Sequence, residues 1–238
     1  MPDRPTPQGT MALGETRIEI NIPASVFLRD TARSDGYEPI ASRLWDWHRL
    51  LTGNKLHPDT FRYLWNVARR LDVAHRQFEL VRAAIDRASE LQPDPVACRR
   101  EMFEALGYTE LAVIALSRAL QVTLEIPRRF PNLRVPIPAV VKHRAKAVLA
   151  LRANCEHLEN DELQRPLADK DNQLIAVFRA THLFEERRVV GETYSLGIDA
   201  EATGLLTHAR EYLVDAITRL TRRPPAPPVA LPATKRRR

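Results

Sequence analysis

Residues Pro136–Pro166 read PIPAVVKHRAKAVLALRANCEHLENDELQRP, and this stretch decides the fold class. Pro138 suits the first turn of a helix, where a missing N–H costs nothing. Val141, Ala145, Val148, Arg152 and Cys155 recur at steps of four and three, one face of a helix. Pro166 sets the far limit, because the residue before a proline is pushed out of the α region. The spacing therefore predicts one long helix. Arg152 falls where another Val or Leu would continue the apolar stripe. A guanidinium cannot shed its charge, so there it must be paired or face a cleft. His157 lies five residues further on, about 140° around an ideal helix. The two side chains can act together only if the helix bends or ends between them, or if two copies meet. The blander alternatives are an ion pair of Arg152 with Glu156 or with another helix, a surface or interface His157, a solvated Asn154 and a core Cys155.

Outward from this stretch the pattern stays helical. Upstream, Pro39–Leu51 carries Ile40, Leu44, Trp47 and Leu51 at helical steps. Asp59 is a candidate cap for a helix to Leu71 that turns Phe61, Leu64, Trp65 and Ala68 inward. A third helix is read from Asp72 to Leu91, and QPDP at 92–95 breaks it. A fourth runs from Val96 to Leu124, with a kink expected at Gly107. Its later half is apolar almost all round, which places it centrally in a bundle. Ile126–Ile137 is a proline-bounded loop. Downstream of Pro166, Asp169–Arg188 repeats Leu174, Phe178, Thr181 and Phe184. Val189–Ile198 is too short and Gly-broken for a helix and reads as a hairpin or extended loop. Asp199 opens a last helix to Leu220. Before all of these, Thr16–Ile22 alternates isoleucine with polar residues, a short strand pattern.

Only 8 glycines in 238 residues argue against a sandwich or barrel. The expected fold class is all-α: a helical bundle at 94–221, an N-terminal helical region at 16–93, and minor β-hairpin or extended segments. Residues 1–15 and the Pro-rich basic tail at 222–238 read as disordered. The net charge is +6, but six of the 36 basic residues sit in that tail without an acid. The remaining 30 match the 30 acids, so the basic character belongs to the tail and does not imply a basic face on the body.

No apolar run approaches a membrane span, and the N-terminus lacks the apolar segment of a signal peptide. Cys98 and Cys155 lack metal-like spacing, which suggests a reducing, cytoplasmic setting. His143, His157, His182 and His208 are scattered, and no HExxH or paired cysteine accompanies them. No metal site is expected. Neither GxxxxGK[ST] nor GxGxxG occurs, so no nucleotide cofactor is expected either. Trp45, Trp47 and Trp65 read as N-terminal core in preference to a base-stacking platform.

An apolar helix, a loop, a helix ending in L-R-x-x-x-x-H, a further helix, a short extended piece and a closing amphipathic helix follow one another over about residues 96–221. This order and the motif resemble the HEPN superfamily. The resemblance implies an all-α bundle that dimerises. It aligns Arg152 with the family arginine and His157 with the family histidine. The polar residue that follows the family arginine is displaced here, from Ala153 to Asn154. The implied activity is metal-independent endoribonuclease chemistry at Arg152, Asn154 and His157, in a prokaryotic toxin or defence effector with RNA as substrate and an antitoxin or other protein as partner. The alternative it implies is a non-catalytic HEPN-like module that binds RNA or a protein.

Overall fold

The structure, a computed structural model, describes residues 23–29, 37–51, 56–164, 182–191 and 193–222, with side chains for all but 50–51, 154–164 and 222. The elements in chain order are α1 (Ala24–Phe27), α2 (Ala41–Asp46), α3 (Pro58–Glu90), α4 (Pro95–Leu124), α5 (Ile126–Arg129), α6 (Ala139–Gln164), β1 (Arg188–Val190), β2 (Ser195–Gly197) and α7 (Ala200–Arg222). α2 passes directly into a π-helical turn, Trp47–Leu51. The protein is an all-α helical bundle with one two-stranded sheet.

The frame is a hairpin of two long helices, α3 and α4. Its packing follows from heptads. In α3, Leu64, Leu71, Phe78 and Ile85 alternate with Val67, Ala74, Val81 and Ala88, and all are buried. In α4, Ala105, Ala112 and Ala119 alternate with Thr109, Leu116 and Thr123 in the same way. A repeat every 3.5 residues keeps one seam facing its partner, as in a coiled coil. Thr109 and Thr123 donate their hydroxyls to Ala105 O (2.7 Å) and Ala119 O (2.8 Å), so their burial leaves no orphan donor.

The two helices expected at 59–71 and 72–91 are therefore one. Pro58 is the only helix breaker from 58 to 90, and the heptads run through Asp72 without a phase change. Its cap is His57, not Asp59: the imidazole Nδ1 accepts from Asp59 N–H at 3.4 Å, and Pro58 occupies the first helical position. At the far end Asp94 caps α4, accepting from the N–H groups of Val96 and Ala97 at 3.0 and 3.1 Å. Arg87 bridges the turn to Glu101 at 2.8 Å. α4 passes uninterrupted through Gly107.

α7 is the helix covered on most sides. It packs against α3, α1, α6, β2 and α4, and buries Leu205, Leu206, Ala209, Leu213 and Ile217 among others. α4 packs against α3, α5, α6 and α7, and of the apolar girdle in its later half Leu111 is exposed. The expected loop after α4 contains the single helical turn α5. Of the helix expected at 169–188, residues 182–185 are helical and 165–181 lie outside the described residues. So do 1–22, with the expected strand, and 223–238, with the basic tail.

The hairpin expected at 189–198 is present: Val189 pairs with Leu196 in an antiparallel register. Arg187 enters it with φ +51, and its guanidinium is held by Asp199 (2.7 and 3.1 Å) and Asp86 (2.8 Å). A non-glycine residue adopts that left-handed conformation only when its surroundings hold it there.

The N-terminal segment is held to this frame by two charged side chains. The Asp72 carboxylate accepts from Ile40 N–H (3.0 Å), Ala41 N–H (2.8 Å) and the Tyr37 hydroxyl (2.7 Å), and so caps α2 from another helix. Arg210 of α7 donates to the carbonyls of Glu38 and Leu28, both at 2.8 Å. Around these contacts Leu28, Ile40, Leu44 and Trp47 complete a core running from Ala24 to Ile217. Among the described residues, no helix is long and apolar enough to cross a membrane.

Candidate functional site

α6 carries the R-x-x-x-x-H segment, and its first half is firmly seated. Val141, Ala145, Ala147, Val148 and Leu151 are buried, and the helix packs on α4 and α7. Arg144 pairs with Glu201 at the start of α7 (2.5 Å). Glu201 also accepts from Gly197 N–H (2.9 Å) and from Arg188 (3.2 Å). One carboxylate thus fixes α6, the β-hairpin and α7 relative to each other. Local sequence favours this register, since alanines at 145 and 147 let the helix approach its neighbours closely.

Arg152 does not continue the buried stripe as its spacing suggested. Residues 151 and 152 flank the line that runs through Val148, at three and four steps, and the apolar one takes the buried side. Leu151 is buried and Arg152 is half-buried. The desolvation that would force a deeply buried guanidinium into a tight pair is therefore only partial here. Ala153, directly after it, is also half-buried. The side chains of Asn154, Cys155 and His157 lie outside the described residues, but the backbone there is helical and α6 continues to Gln164. The helix does not end between Arg152 and His157. On one copy the two positions stay about 140° apart.

Sequence reasoning missed a second place where polar groups gather. A cleft of about 540 Å³ opens between the N-terminal segment, α3 and the start of α7, lined by Tyr37, His75, Glu79, Arg82, Asp199 and Thr203. Its groups mostly serve each other. Tyr37 stacks on His75 at 4.3 Å while its hydroxyl donates to Asp72. Burial, and then the neighbouring Asp72 charge, push the Tyr37 phenol far above its usual range, so it keeps its proton and offers no base. Arg82 donates to Ile198 O at 2.9 Å, and burial lowers its guanidinium against the pull of Asp199 and Glu79. With both polar ends engaged, this cleft is a polar joint that holds α3, α7 and the N-terminal segment together. Among the described residues no group of His, Cys, Asp and Glu could hold a metal ion. The chain matches no family model, no curated protein and no solved structure.

Proposed function

We propose that the chain is a HEPN-like, metal-independent endoribonuclease whose active unit is a homodimer, with Arg152, Asn154 and His157 as its site. The observation that carries this reading is the continuity of α6. An unbroken helix keeps Arg152 and His157 apart within one copy, yet two copies meeting beside this segment bring the arginine of one to the histidine of the other. Leu151, directly before Arg152, is the last buried residue among the described side chains of α6.

Cleavage without a metal needs little else. An imidazole with a pKa near 6.5 takes the 2′-hydroxyl proton, the 2′-oxygen attacks phosphorus, and the 5′-oxygen leaves with a proton. The products are a 2′,3′-cyclic phosphate and a 5′-hydroxyl. The guanidinium offsets the charge that builds on the phosphate oxygens. Asn154 orients the scissile phosphate. A toxin role with an antitoxin partner is supported by the resemblance alone.

The test is cleavage of a mixed RNA pool in EDTA by the wild type, Arg152→Ala and His157→Ala, each checked for fold and oligomeric state. Each variant alone loses cleavage. Mixing and re-associating the two restores it, because the mixed dimer holds one intact Arg–His pair across the axis. A site within one copy would give no recovery. Ala153 favours a second reading, since it stands directly after Arg152 where the resemblance has a polar residue. This is a non-catalytic module that binds RNA or a protein, and inactive wild-type dimer in that assay would establish it over the first.

A further inference from the structure

A second feature of the N-terminal region is independent of Arg152, Asn154 and His157. Where α2 widens into the π-helical turn, Trp47 enters the core and Trp45 is left 43% exposed. Such turns recur at functional sites, because the extra residue re-aims the side chains around it. Trp45 stands 5.8 Å from the Phe61 ring and 5.9 Å from the Trp65 ring. His48 is stacked flat on Phe61 at 3.9 Å. The Arg49 guanidinium lies 5.1 Å over the Trp45 face. Trp45, His48, Arg49 and Phe61 border a cleft of about 490 Å³ that Leu56, His57, Pro58 and Arg62 complete.

The electrostatics of this cleft are one-sided. Arg49 and Arg62 line it beside the imidazoles of His48 and His57, and among the described residues no carboxylate does. Beside it, Asp59 is exposed and lies 3.4 Å from Arg62 and 3.9 Å from His57 Nδ1. Burial, and then the Arg49 charge, hold the His48 imidazole below its usual 6.5, so it adds no cation to the cleft at neutral pH. The N-terminus of the 33-residue α3 opens at the same place, adding the positive end of its dipole. Flat aromatic faces, permanent cations and a volume that admits one nucleotide occur together. That combination recognises a planar ring bearing an anionic group.

We propose that this cleft binds an unpaired nucleotide of a single-stranded nucleic acid, its base stacked on Trp45 and its phosphate held by Arg49 and Arg62. A base has a π-face whatever its identity, so this site is tolerant of sequence and closed to a paired base. Arg49 can remain beside the stacked base, since guanidinium planes stack on bases as aromatic rings do.

The experiment is anisotropy of a fluorescein-labelled oligouridine titrated with the full chain at low salt, with tryptophan quenching as a second signal. Oligothymidine separates RNA from DNA, and a duplex of the same length serves as competitor. Trp45→Leu should weaken binding by roughly five- to a hundredfold, the range expected for one lost stacking partner. Arg49→Gln, which leaves the aromatic packing intact, should weaken it as well. Arg99→Gln, an exposed cation at the start of α4 and so at the opposite end of the α3–α4 hairpin, should bind as the wild type, which separates this site from a general loss of charge. The proposal is overturned if Trp45→Leu and Arg49→Gln both bind as the wild type, if the duplex competes equally, or if the wild type binds neither strand.

Discussion

Replacing Asp72 by alanine tests how the N-terminal segment is held. The substitution removes the acceptor for three donors at once: Ile40 N–H, Ala41 N–H and the Tyr37 hydroxyl. Ile40 and Tyr37 are buried, so water does not readily replace the lost oxygen. An orphaned buried donor costs about 1–3 kcal/mol. Two effects reduce the sum. Removing the carboxylate also removes its desolvation cost, and fraying of the first turn of α2 re-exposes the backbone groups. The expected loss is about 2–4 kcal/mol, above the ~1 kcal/mol typical of a surface helix cap. Urea unfolding followed by far-UV circular dichroism measures it. Hydrogen exchange locates it: protection should fall across 37–51 and persist in the α3–α4 hairpin. Tyr37→Phe, which deletes only the hydroxyl, should cost about 1 kcal/mol. A stability within ~0.5 kcal/mol of wild type for Asp72→Ala would refute the reasoning, because an exposed substitution of no consequence has that size.

The same carboxylate sets a pH dependence: burial holds Asp72 above its usual 3.8, so the folded state binds this proton more tightly than the unfolded one. The stability of wild type relative to Asp72→Asn should then be greatest below 3.8 and decline as pH rises through the raised value, as urea unfolding at a series of pH values would report. Glu101 has the opposite sign. The hydrogen bond from Arg87 holds it below its usual 4.5, so its contribution is present above that value and lost as pH falls through the lowered one; Glu101→Gln should flatten this part of the acid limb. Arg210→Met leaves the Leu28 and Glu38 carbonyls without their donor and should cost about 2–4 kcal/mol by the same unfolding assay. Ala112→Leu forces a large side chain into the closed α3–α4 seam and should cost about 1–3 kcal/mol, with a lower thermal midpoint.

The helical class was legible because it rests on composition and period, which local sequence carries in full. Scarce glycine, prolines gathered between helices and repeats at three and four steps sufficed for α4, α6, α7 and the hairpin between the last two. The division of α3 failed for an equally local reason. Asp72 has the chemistry of a cap, and it does cap a helix, but the helix is α2 and not its own. Only the unbroken heptad from Leu64 to Ala88 distinguishes these cases, and it must be read across the whole segment. His57 was legible in retrospect, since Pro58 at the first helical position points to the residue before it. Trp45 and Trp47 carried a similar signal. Two residues apart on a helix lie about 200° apart, so both cannot face one core. The candidate site on α6 was legible only as residue types. Which of Leu151 and Arg152 would face inward depends on a small rotation of the helix, and packing decides that, not pattern.

The charge balance bears on how a single strand could be held. A body with as many acids as bases carries no net charge to attract nucleic acid, so a net long-range attraction would have to come from the tail, as an unspecific field. Affinity from such a field falls steeply with salt, by about 0.7 in log–log slope for each phosphate contacted on a single strand. Stacking on Trp45 does not release counterions and so survives added salt. Two cations in the cleft, Arg49 and Arg62, therefore contribute a small slope, and six in the tail a large one. If a strand is gathered by the tail and seated in the cleft, Trp45→Leu should lower affinity at every ionic strength and leave the slope unchanged. Arg49→Gln should lower both. Parallel loss of slope in the two variants would mean that Trp45 acts only by positioning the Arg49 charge, and would refute its role as a stacking surface.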